Sequence, residues 1–312
     1  MRNSLIIATV LSAAPAWGGD TAFVTNQNSS DLSIIDIDAA KEIGRIPIAG
    51  KPAGIAVVPE LDAVFTVSPE TKTVSKLARD GEILQVLTLE GGPIGIVADP
   101  ERFRLFVSDW YNARIWIIDS RSLGVIDTLT TGNTPAGLAI SDDGAWLAAA
   151  ERDADQVTIF AMTGFDQPKT VATGSRPFGL SFGPDGNLYT ANVGSNDVTV
   201  IAPESGDVIA TVPVGARPYG VAFAQGRGFV SNQYSDNVSV FNVSDHTPVG
   251  TIDVGEYPEG IDAAKDQGHI LVANWFSNTL MVIDATTLGI VDEIATGDGP
   301  RAFGKFIWEE PE

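Results

Sequence analysis

The chain has 312 residues, 44% hydrophobic and 19% charged, which is apolar enough for a sizeable core and argues against a disordered chain. Its formal net charge of −21 argues against nucleic-acid phosphates and anionic membrane surfaces as partners. It has no cysteine, which excludes disulfides, thiolate nucleophiles and thiolate metal sites.

In chain order, the first segment reads as a leader. Arg2 supplies a minimal positive region, and Leu5 to Leu11 form a short apolar run ending near the small residues Ala14, Ala16 and Gly18. That run is too short to span a bilayer, so residues 1–18 are expected to be a secretory signal cut after Gly18. Residues 19–312 are then one exported domain, periplasmic or secreted. Its net charge is −22 once Arg2 is gone, with no membrane insertion.

From there the chain repeats. Pro52, Pro93, Pro135, Pro177, Pro218, Pro258 and Pro300 are separated by 41, 42, 42, 41, 40 and 42 residues. In six copies a glycine follows two residues later, from Gly54 to Gly260; the last copy departs, reading Pro300-Arg301-Ala302-Phe303-Gly304. Seven units at this spacing indicate a repeat architecture rather than two ordinary domains.

One repeat shows the strands. Gly179 to Phe182 reads as the first, ending at a Pro184-Asp185-Gly186-Asn187 turn in which glycine accepts positive φ. Leu188 to Asn192 is the second, Asp197 to Ile201 the third, and Val208 to Val212 the fourth. Four antiparallel strands in about 41 residues make one propeller blade. The fold expected is therefore all-β: a seven-bladed β-propeller of four-stranded antiparallel blades. After the leader, Ala22 to Asn26 reads as a second strand, and Arg301 to Ile307 as a first strand. The C-terminal strand should therefore complete the N-terminal blade and close the ring.

Val24-Thr25-Asn26, Ala191-Asn192, Val230-Ser231-Asn232 and Val272-Ala273-Asn274, each followed by a β-branched strand, resemble the YVTN family of β-propeller repeats. The resemblance covers residues 22 to 307. It implies the fold firmly and activity hardly at all; for some members it implies a setting beside periplasmic quinone-dependent alcohol or amine oxidation. The asparagine slot departs at Ser68, Asp109 and Glu151.

Ligands of propellers usually meet the face around the channel mouth. Here that face collects the loop before each proline and the loop after each asparagine slot. The second set holds Trp110 and Tyr111, Arg152 and Asp153, Gln233 and Tyr234, and Trp275 and Phe276. The first holds Lys51, Arg176, Phe178, Arg217, Tyr219, Tyr257, Glu259 and Arg301. Aromatics with arginine are the composition of binding hot spots. Trp110, Tyr111, Arg176, Phe178, Arg217, Tyr219, Tyr234, Trp275, Phe276 and Arg301 are therefore expected to form a rim for a protein partner or a small anionic or aromatic ligand.

Catalytic residues are not apparent. His246 and His269 fall in turns of the opposite face, and no G-x-S-x-G elbow or P-loop is present. No cofactor is expected. The leading function is a non-catalytic binding or scaffolding propeller. The alternative is a lactonase- or lyase-like enzyme using Asp109, Glu151 or Glu259, or a divalent metal in the channel. One residue breaks the pattern: Lys76 fills a third-strand slot held elsewhere by Ile or Val, and a local register slip at the Pro69 loop is the expected reason.

Overall fold

The computed structural model describes residues 20–264 and 268–309; the leader expected at residues 1–18 lies outside them. The chain forms seven blades of four antiparallel strands. In the fifth, Pro177–Phe182, Leu188–Asn192, Asp197–Ala202 and Asp207–Pro213 follow one another from the inside outward. The second strand is buried throughout, and the third is buried except at its ends. Both faces of these strands meet a neighbouring blade, so consecutive residues are buried rather than alternate ones. The fourth strand is mostly exposed.

The innermost strands surround the channel, each packing against the next from Gly54–Val58 through Pro258–Ala263. The repeat glycine sets how closely they approach. A Cβ on Gly54, Gly95 or Gly179 would collide with the backbone carbonyl of Ile94, Ala136 or Tyr219 on the next blade. At Gly137 the Cβ would stand 2.6 Å from the Phe178 carbonyl. Hydroxyls one residue before the asparagine slot strengthen three of these seams. Thr25, Ser108 and Ser231 donate to the carbonyls of Ala53 (2.9 Å), Ala136 (2.6 Å) and Glu259 (2.6 Å).

The slot asparagine is a clip. Asn192 Nδ2 donates to Asp197 Oδ1 at 2.6 Å and to Thr199 Oγ1 at 2.8 Å, five and seven residues on, tying the ends of two strands. Asn26 does the same with Asp31 (2.7 Å) and Ser33 (2.8 Å), and Asn232 with Asn237 and Ser239 (2.9 Å each). The Thr199 and Ser239 hydroxyls also accept the N–H of Gly174 (3.1 Å) and Gly215 (3.1 Å), which fixes the crossover ahead of each proline.

Closure uses the C-terminal strand, in two pieces. Ile307–Trp308 pairs antiparallel with Thr21–Asn26, while Phe303–Lys305 lies parallel to Gly54–Val58 of blade 2. Arg301 N donates to Thr25 O at 2.7 Å, and Phe23 N donates to Phe306 O at 2.8 Å. The break has a cause in length. Between the pairs Asn26↔Pro300 and Ala22↔Ile307 the closing strand takes seven steps opposite four. In blade 5, Asn192↔Pro177 and Leu188↔Phe182 span four opposite five. Two additional residues bulge toward the channel, which is why the last proline lacks a glycine two residues on.

The register slip expected near Lys76 is absent. Pairing with the second strand runs unbroken from Val64↔Leu77 to Ser68↔Thr73, and the bulge on the outer side between Lys76 and Leu77 recurs at the equivalent place in other blades, as between Val200 and Ile201. The half-buried ammonium donates instead to the Ser120 carbonyl on the next blade (3.1 Å) and lies 5.9 Å from the Phe65 ring centre. A long stem can carry its charge out of an apolar layer without disturbing the strand.

Candidate functional site

The loops of one face frame a basin of about 690 Å³ over the channel. Two repeat positions build it. In six of the seven blades the residue after the asparagine slot turns inward, giving Gln27, Trp110, Arg152, Val193, Gln233 and Trp275; the seventh position, Pro69, does not line the basin. In four blades the residue after the proline adds Phe178, Tyr219, Glu259 and Arg301.

A third position precedes the proline. Lys51, Thr134, Arg176, Arg217 and Tyr257 all hold φ between +56° and +58°, a left-handed conformation that a side chain adopts only when its surroundings enforce it. The previous blade supplies that enforcement. Side-chain oxygens of Asp155, Asn196 and Asp236 accept the backbone N–H of Arg176, Arg217 and Tyr257 at 2.7, 2.8 and 2.9 Å. Arg217 and Tyr257 thereby reach the basin.

Aromatic rings make the floor. Phe178, Tyr219 and Phe303 form a triangle with centroids 4.7, 5.1 and 5.3 Å apart, and Trp110 meets Phe178 at 6.0 Å. These three rings are buried and stop the channel. A second hollow of about 600 Å³ lies below them, with Asp262 and Lys305 on its wall. On one side of the basin, Tyr234, Tyr257, Trp275 and Phe276 form a chain of ring contacts 4.6 to 5.9 Å apart.

A polar network crosses this aromatic cup. Glu259, 4% exposed, accepts Gln233 Nε2 at 2.7 Å through Oε1 and faces Arg301 Nε at 3.3 Å through Oε2. Arg301 also donates to the Tyr219 hydroxyl (2.8 Å) and to Gln27 Oε1 (3.1 Å). Arg217 Nε donates to Gln233 Oε1 at 2.5 Å, and its guanidinium lies 5.0 Å from the Tyr234 ring centre. Burial pushes the Glu259 carboxyl above the usual range; Arg301, Arg217 and the Tyr219 hydroxyl pull the other way without cancelling it. Burial also raises the Tyr219 phenol far above its ordinary value.

Of the residues singled out from sequence, Trp110, Phe178, Arg217, Tyr219, Tyr234, Trp275, Phe276 and Arg301 come together in this basin. Tyr111 and Arg176 do not line it. Tyr111 is 78% exposed and covers Gly92, and the Arg176 side chain is in solvent. Gln27 and Val193 went unnoticed because neither is aromatic or charged, although both occupy the position after the slot.

Two of the three candidate carboxylates are structural. Asp109 accepts Gly92 N (2.8 Å) and Arg114 Nε (2.8 Å), and Glu151 accepts Gln156 Nε2, as the slot asparagines elsewhere hold their own blades. Glu259 alone lines the basin. Among the described residues no group of three His, Asp or Glu converges as a metal cluster would. On the opposite face the Tyr189 hydroxyl donates to Asp185 (2.9 Å) and meets His246 Nε2 at 3.2 Å, joining two blades.

Fold and basin together define the class: a seven-bladed β-propeller with an aromatic, arginine-bearing channel mouth. Residues 118–246 match the family described as the lipoprotein LpqB β-propeller domain. No curated protein matches the chain. Among solved structures it is similar to a protein of unknown function from Desulfotomaculum acetoxidans (16% identity, TM-score 0.78, 90% of this chain and 98% of that one). It is also similar to Kuenenia stuttgartiensis hydrazine synthase (18%, TM-score 0.78, 86% and 93%). A third is a Bacteroides fragilis protein proposed to be a 6-phosphogluconolactonase (17%, TM-score 0.75, 93% and 99%). At these identities the likeness is one of fold.

Proposed function

We propose that this chain is an exported binding propeller whose receptor site is the channel mouth, taking a ligand or partner group that is anionic and aromatic. The observation that carries the reading is Arg217. It projects into an aromatic cup, and among the described residues no carboxylate lies within ion-pairing distance of it, in a protein of net charge −21. Guanidinium beside aromatic rings is suited to a planar anion, which gains charge-assisted hydrogen bonds at its head and ring contacts along its body. The YVTN-like repeats suggest a place beside periplasmic quinone-dependent oxidation, and the lipoprotein-associated propeller match agrees with export.

Trp110 and Trp275 line the basin and serve as reporters. Titration with 3-phenylpropionate should quench or shift the tryptophan emission saturably, and Trp275→Phe should lose most of the change. A flat titration into the millimolar range would refute the reading. The lactonase-like alternative would need Glu259 to act without a second free carboxylate, since Asp109 and Glu151 are already committed to their blades.

A further inference from the structure

Each blade ends in an outermost strand whose outward backbone N–H and C=O groups can pair with another strand, and proteins commonly blunt such edges with charge. Six of the seven outermost strands carry a charged residue, at Lys41, Asp127, Lys169, Asp207, Asp253 and Asp292. The strand Ile83–Thr88 of blade 2 carries none, and it contains no proline. It pairs inward with Thr73–Leu77, and among the described residues no strand lies beyond it.

Register sharpens the difference. Val86 stands opposite Ser75, the third residue of its partner strand. The equivalent slot in the other blades holds Arg45, Thr128, Thr170, Thr211, Thr251 and Glu293. Six blades are therefore polar where blade 2 has a valine. At 57% exposure Val86 is the most exposed Val, Leu or Ile among the described residues, and Ile83 and Leu84 are 44% and 47% exposed. An added strand would satisfy the open backbone groups and cover these side chains together.

Charge selects the occupant. Asp80 and Glu82 precede the strand and Glu90 follows it, all three exposed. Antiparallel pairing of two copies about the strand centre would bring Glu90 of each toward Glu82 of the other, between proteins that each carry −21. Like charges oppose that contact. A strand with lysine or arginine at both ends is instead attracted at long range and finds carboxylates at both ends of the edge.

We propose that the outer edge of blade 2 docks a β-strand of a partner protein, apolar and β-branched in its middle and basic at both ends. The probe is a capped peptide of alternating valine and threonine with two lysines at each end, added to the full chain and followed by hydrogen exchange. Exchange should slow within Ile83–Thr88, and the same peptide methylated at its backbone nitrogens should not slow it. Val86→Lys should weaken peptide binding about ten-fold or more, by placing a charge where the added strand must pack. Thr211→Lys adds the same charge in the same slot of blade 5 and should leave affinity within about two-fold. Equal losses in the two variants, protection in another blade, equal binding of the methylated peptide, or no protection at millimolar peptide would each overturn the proposal. A wild-type dimer that Val86→Lys dissociates, seen by sedimentation, would make the occupant a second copy and the partner strand wrong. Should Val86→Lys not fold, the exchange pattern of the unaltered protein with the two peptides still decides.

Discussion

Arg301 and Glu259 face each other across the seam that shuts the ring, Nε to Oε2 at 3.3 Å, one from the closing strand and one from the innermost strand of blade 7. The same seam carries a second pair lower down, Lys305 Nζ to Asp262 Oδ1 at 3.0 Å, and Asp262 Oδ2 also accepts the Phe306 N–H at 2.9 Å. The upper pair belongs to the basin, so the residues that close the fold also line its mouth.

The lower pair predicts unequal mutational effects. Lys305 is 65% exposed at its side chain, and exposed ion pairs contribute below about 1 kcal/mol. Asp262 is buried and holds a buried backbone donor, whose loss costs about 1–3 kcal/mol. In urea denaturation, Asp262→Ala should therefore lower the midpoint clearly while Lys305→Ala barely moves it. Equal shifts would mean that the ion pair, not the backbone bond, secures the seam.

The repeat glycine predicts a position-dependent alanine effect. At Gly137 an added Cβ stands 2.6 Å from the Phe178 carbonyl, and overpacking of this sort costs about 1–3 kcal/mol. At Gly250, in an outer strand, nothing lies within 4 Å of the added atom. Gly137→Ala should lower the melting temperature, whereas Gly250→Ala should leave it unchanged or raise it. A neutral Gly137→Ala would show that the blades can separate freely around the channel.

The asparagine clip predicts a matching loss. Asn192→Ala removes one buried and one part-buried hydrogen bond and leaves Thr199 with one fewer partner, an expected cost of about 1–3 kcal/mol. Hydrogen exchange should then quicken first in the crossover around Gly174, whose N–H the same Thr199 holds. Uniform acceleration across blade 5 would place the clip's role elsewhere.

Acid should weaken the turns whose carboxylates are held charged by hydrogen bonds. The backbone N–H of Ser122 holds Asp119 down to about 2, with Ser122 and Arg121 side chains adding to it. Asp143, Asp245 and Asp284 are lowered by similar turn hydrogen bonds. A carboxyl lowered on folding contributes stability above its unfolded value, near 4, and that stability disappears as pH falls through the folded value. The stability gap between the wild type and Asp119→Asn should hold at pH 5 to 7 and close toward pH 2. A gap unchanged at pH 2 would contradict the turn's electrostatic role.

Much of this architecture was legible in the prolines. Their spacing set the number of blades, and the asparagine slots located the second strands, because each repeat must satisfy the same backbone geometry. The basin was legible as two loop sets, since a repeat places equivalent positions on one face. Direction was not legible: Trp110 and Tyr111 are adjacent in sequence, yet one turns into the basin and the other covers Gly92. Arg176 and Arg217 share the same left-handed backbone and donate to equivalent oxygens, of Asp155 and Asn196, but only Arg217 has a Gln233 to hold it inward. Lys76 misled for a related reason, because its partner is a backbone carbonyl 44 residues away that no local pattern announces.

That contrast supplies the most direct test of the channel mouth as a receptor. Calorimetric titration with 3-phenylpropionate should compare the wild type with Arg217→Ala and Arg176→Ala. The basin account predicts that Arg217→Ala weakens binding about ten-fold or more, the loss of one charge-assisted contact, and that Arg176→Ala leaves it within about two-fold. Equal affinity in all three proteins, or a greater loss in Arg176→Ala, would contradict the account and move the binding surface to the outer rim.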